Sequence, residues 1–103
     1  MFDKAMLIER LTHSLNYPSD GAQFVADSFA RASAPVRLAL QQWLTDGSIP
    51  TLEIEGYTVQ RLASDHRMTV PAALLTLDAL SRTPEETLKT LRRGSERLNF
   101  GKK

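Results

Sequence analysis

The residues of this chain that could do chemistry are few and stand apart. His13 and His66 are its two histidines, and neither lies at a metal-ligand spacing from the other. Cysteine is absent, which removes a thiol nucleophile, a disulfide framework and a Cys-based zinc site. The five glycines, Gly21, Gly47, Gly56, Gly94 and Gly101, are scattered and form no phosphate-cradling loop. No serine lies in the G-x-S-x-G turn that exposes a hydrolase nucleophile. Glu53 and Glu55 fall two apart and share one side of an extended segment, where they read as its wet face. Glu85 and Glu86 suit a helix N-terminus electrostatically. The chain is therefore expected to be non-catalytic, with no metal and no cofactor.

Two groups of residues point instead to binding. Leu52-Glu53-Ile54-Glu55 alternates apolar and acidic residues as a short strand would, and no second alternating stretch offers it a partner. Glu53, Ile54 and Tyr57 are the candidate surface for a protein partner, which includes a second copy of the chain. The other group is basic. Residues 89–103 carry Lys89, Arg92, Arg93, Arg97, Lys102 and Lys103 against Glu96 alone, a net +5, while the remainder holds 7 basic and 11 acidic residues, a net −4. An acidic body with a basic tail can meet nucleic acid or an acidic partner, although basic residues also suit a helix C-terminus.

Residues 58–81 add a helix-turn-helix-like pattern. Thr58 opens one helix, His66-Arg67-Met68 makes a turn, and Thr69-Val70-Pro71 opens the next. Three features weigh against DNA reading. Arg67 stands where glycine often eases such a turn. The second helix offers mainly Thr76 and Asp78 to base edges, and Asp78 would repel phosphates. The body is also acidic overall, contrary to the usual basic footprint. The hairpin is read first as a packing unit. In the nucleic-acid alternative, Arg61, Arg67, Arg92, Arg93 and Arg97 are the contacting residues.

The elements that must position these groups are helical. With 103 residues, 42% hydrophobic and 24% charged, the chain predicts one globular domain. Leu7, Leu11 and Leu15 mark a first helix over residues 3–15, broken at Asn16-Tyr17-Pro18. A second runs to Ala32, with Asp20 and Gln23 as a capping box and Phe24, Val25 and Phe29 as its core side. Ala22, Ala26 and Ala30 line another strip of it. Pro35 opens a third helix with the stripe Val36, Leu40, Trp43 and Leu44, and Gly47 stops it.

Residues 48–57 read as an extended connector pinned by Ile49, Leu52 and Ile54. Val59 and Leu62 mark a fourth helix. The fifth, from Val70 to Ser81, is the most apolar and should be central. Thr83-Pro84-Glu85-Glu86 opens a sixth that ends at Arg92-Arg93-Gly94. The expected architecture is an all-α bundle of five to six short helices, with residues 1–94 as the domain and 95–103 as a basic, flexible tail. No apolar run approaches the ~18 residues that span a bilayer. The first residues lack a basic region followed by an apolar block, so a cytoplasmic home is expected. The functional expectation is a small interaction or regulatory module.

Overall fold

Helix starts follow the short polar residues that the sequence supplies. In the computed structural model, which describes the backbone of residues 3–101 and the side chains of residues 3–93, Asp3 caps α1 (Lys4–His13) by accepting from the Met6 N–H at 3.1 Å. Thr58 caps α4 (Val59–Asp65) through the Arg61 N–H at 3.1 Å, and Thr69 caps α5 (Val70–Arg82) through the Ala72 N–H at 3.3 Å. Each hydroxyl or carboxylate satisfies one of the N–H groups that the first helical turn leaves unpaired.

The remaining helices are α2 (Ser19–Ala30), α3 (Ala34–Asp46) and α6 (Pro84–Gly101). The described residues thus form an all-α fold of six helices with one two-stranded ribbon.

The expected capping box of α2 does not form. The helix starts at Ser19 with Pro18 in the cap position, so Asp20 already lies inside the first turn. Its carboxylate accepts from the Gly21 N–H, and Gln23 donates to Asp27 instead. At the other end, α6 continues through Gly94 to Gly101, beyond the stop expected there. A helix-interior glycine costs only about 1 kcal/mol relative to alanine.

The connector is extended over residues 48–52 and then folds on itself. β1 (Glu53–Ile54) pairs antiparallel with β2 (Tyr57–Thr58), with Ile54 opposite Tyr57 and Glu53 opposite Thr58. The expectation that this stretch lacks a mate within the chain is corrected. Its mate is the stretch two residues further on. Glu55 and Gly56 both take positive φ, 54° and 81°, which is the type I′ geometry that matches strand twist. Glutamate is uncommon in that conformation, and so the Glu-Gly pair gave little warning of a turn.

α5 is central, as its apolar content predicts. It packs against α2, α3, α4, α6 and both strands. Ala73, Leu74, Leu77 and Leu80 are fully buried, and they meet Leu7, Leu11, Phe29, Val36, Leu40, Leu44, Val59 and Leu62 in one core. Both halves of the chain contribute to it, because neither could bury enough apolar surface alone. The Tyr17 hydroxyl hydrogen-bonds the Thr69 hydroxyl at 2.9 Å and so ties the α1–α2 loop to the start of α5.

Two apolar assignments change. Ile49 is 48% exposed, and Pro50 is buried in its place. Phe24, expected on the core side of α2, is 68% exposed. The helix carries two stripes, and it packs against α1, α3 and α5. Ala22, Ala26 and Phe29 go inside, at spacings of four and three, and leave Phe24 on the opposite side.

Candidate interaction surface

Two regions of the surface gather distinctive side chains. The first is the ribbon with the start of α4. The Arg61 guanidinium stacks over the Tyr57 ring, 4.7 Å from its centroid, and donates to the Gly56 carbonyl at 3.0 Å. It also pairs with Asp65 at 3.6 Å, one helical turn along. The His66 ring lies 6.1 Å from that of Tyr57 at a tilt of 60°. Arg61 therefore holds the Glu55-Gly56 turn closed and covers the aromatic ring.

The sequence-predicted residues fall here in part. Tyr57 and Arg61 are brought together, although they belong to different expectations, one for protein and one for nucleic acid. Ile54 is half-buried and packs on the core, while Glu53 is exposed. Arg67 is exposed in the turn after α4 with φ 55°, and so it fills the left-handed position that glycine would ease. Arg92 and Arg93 are exposed on a different helix, α6. The Arg97 side chain lies outside the described residues.

The second region is a broad face made by α2, α5 and α6. Leu75, Ala79 and Thr83 form its floor. On one side a hollow of about 440 Å³ is bounded by Phe24, Ser28 and Arg31 of α2. On the other a hollow of about 400 Å³ is bounded by Met68 and by Thr87, Thr90 and Leu91 of α6, with Glu86 at its end.

Beneath the α2 side lies a polar latch. Asp78 accepts from the Ser33 N–H at 2.9 Å and pairs with Arg82 at 3.3 Å, and Arg82 donates to the Arg31 carbonyl. Asp78 is only 8% exposed. The expectation that it faces base edges is corrected, because it is spent on fastening the α2–α3 turn to α5. Sequence periodicity could not find this latch, since its partners are 45 and 51 residues apart.

Smaller ties fix the N-terminal helices. Arg10 stacks over Trp43 at 5.3 Å and donates to the Leu44 carbonyl, which joins α1 to α3. Lys4 pairs with Asp27 at 2.7 Å between α1 and α2. The hydrogen bond from Lys4 holds the Asp27 carboxyl below its ordinary pKa, helped by the one from Gln23. The Ser48 hydroxyl and N–H do the same for Asp46 just past α3.

Among the described residues, no three His, Asp or Glu side chains gather in a way that could hold a metal ion. No helix among them is long and apolar enough to cross a membrane. No protein family, curated protein or solved structure matches the chain.

Proposed function

We propose that this protein is a small, non-catalytic protein–protein interaction module, cytoplasmic in location, and that its contact surface is the α2–α5–α6 face. The observation that carries the reading is Phe24, an aromatic side chain 68% exposed at the edge of an open hollow. A large aromatic left in water at the rim of an apolar floor is a binding anchor in waiting, since aromatic and arginine residues carry most interface energy. The polar groups along the same face are threonine hydroxyls, Ser28, Arg31, Glu86 and the Asp78–Arg82 pair, and the last two are spent on fastening the α2–α3 turn.

A photo-crosslinking amino acid placed at position 24 tests this in cells. Position 38 is the control, because Leu38 is 63% exposed but sits on α3. Crosslinking to protein from position 24 and not from position 38 is the expected result. Equal yields from both positions, or none from either, would overturn the reading.

A second reading has one observation in its favour. Lys89, Arg92 and Arg93 are exposed on α6. The sequence continues with Arg97, Lys102 and Lys103, a footprint suited to phosphates. The α4–α5 hairpin gains less support as a DNA reader, because α5 spends Pro71, Ala73, Leu74, Leu77, Asp78 and Leu80 on burial and its half-buried middle, Ala72, Leu75, Thr76 and Ala79, offers one polar side chain. Anisotropy of a labelled mixed-sequence duplex, titrated at low and moderate salt with the full chain and with one ending at Gly94, tests it. Binding lost with salt and with the truncation would place the contact on the end of α6. Absence of binding at low salt would end this reading.

A further inference from the structure

The α2–α5–α6 face has a left and a right side and two unlike ends. On α2, Phe24, Ser28 and Arg31 recur at spacings of four and three and line the same hollow. Phe24 and Arg31 are therefore about 10 Å apart along the helix. α5 runs alongside in the same direction. Leu75 shares the hollow with Phe24, and seven residues later Arg82 bonds the Arg31 carbonyl.

α6 returns in the opposite sense on the other side. Leu91 shares its hollow with Met68 and Leu75, and Glu86 lies more than a turn back, towards Thr83. One end of the face thus gathers its large apolar groups, with Phe24 to one side and, on the other, Met68, Leu75 and Leu91 interspersed with Thr76 and Thr90. The opposite end carries a cation on the α2 side, Arg31, and an anion on the α6 side, Glu86.

From this arrangement we infer that the face is a two-fold interface between two copies of the chain. The inference rests on the interaction-module reading and names the partner. Rotation by half a turn about an axis parallel to α5 exchanges left with right and keeps each end at its own level. Phe24 of each copy then meets the hollow between α5 and α6 of the other. Arg31 of each meets Glu86 of the other. The contact is isologous, so every favourable pairing occurs twice.

The physical terms agree in sign. Each phenylalanine leaves water for a hollow of about 400 Å³ whose lining includes methionine and leucine. The threonines and the Arg31–Glu86 pairs form a polar rim around this apolar centre. The rim charges fix the register, because the alternative rotation, about an axis in the plane of the face but perpendicular to α5, would set Phe24 against the charged end and leave it unpaired with apolar surface.

Sedimentation equilibrium of the purified full chain, from low-micromolar to millimolar concentration, tests the proposal. A monomer–dimer equilibrium is expected. Phe24→Glu should give a monomer with unchanged circular dichroism, while Leu38→Glu should leave the dimer intact. Arg31→Glu and Glu86→Arg should each weaken dimerisation about tenfold, a loss of roughly 1.4 kcal/mol, and the double variant should recover most of it. A monomer at every concentration, or a dimer indifferent to Phe24→Glu, would overturn the proposal. A purified monomer that still crosslinks from position 24 to a different protein in cells would remove the self-partner and leave the interaction reading standing.

Discussion

The ribbon–α4 edge and the α2–α5–α6 face are both rich in the residue types that interfaces favour, yet they are in opposite states. At the edge, Arg61 has already found an aromatic ring, a carbonyl and a carboxylate, and Ile54 packs on the core. Its side chains complete one another. On the face, Phe24 stands in water at the edge of a hollow that it does not fill. The lesson is that composition alone does not mark a binding surface. What marks it is whether the groups there have been used up by the fold.

The widest expected contrast sets two phenylalanines of one helix against each other. Phe29→Ala should destabilise the protein by about 3–5 kcal/mol, because its ring is fully buried. Phe24→Ser should stay within about 0.5 kcal/mol, as surface changes do. Urea unfolding of both variants, at a protein concentration low enough to keep the chain monomeric, checks the pair, and a large loss at Phe24 would mean that the ring serves the monomer's core.

Next in size is the latch beneath the face. Asp78→Ala should cost about 1–3 kcal/mol, because the Ser33 N–H loses its acceptor and Arg82 its carboxylate. Chemical denaturation reads this directly, and a negligible change would show that the α2–α3 turn is held by packing alone.

At the edge, Gly56→Ala should cost about 1–2 kcal/mol, since an alanine at φ 81° meets the left-handed penalty. Amide exchange should then rise at the ribbon and not on the α2–α5–α6 face. A rise in both would unite the regions that the comparison separates.

The smallest effect concerns pH. Asp27 is held below its ordinary value of 3.8 chiefly by Lys4, so the tie adds stability above that value and loses it as pH falls through the lower, folded-state pKa. Lys4→Met should let the Asp27 pKa rise in an NMR titration. No rise would mean that Lys4 is free in solution.

Much of the fold was legible residue by residue. The Thr58 and Thr69 caps, the Gly47 stop at φ 76° and the stripes Leu7–Leu11 and Val36–Leu40–Trp43–Leu44 are local signals that packing kept. The site was less legible. Tyr57 was singled out, but its closure by Arg61 needs a strand, a turn and a helix start to meet. Helical spacing alone places Phe24 on the core side, because it identifies stripes without ranking them.

The sequence by itself determined a bundle of five to six helices, most of their starts and most of their buried faces, because capping, proline placement and 3.6-residue periodicity act within a few residues. Tertiary structure alone decided which stripe of α2 turned inward, that Asp78 became a latch and that Glu55-Gly56 closed a ribbon. Those outcomes depend on which surfaces meet. α2 packs against α1, α3 and α5 with Ala22, Ala26 and Phe29 buried, and that choice left Phe24 outside.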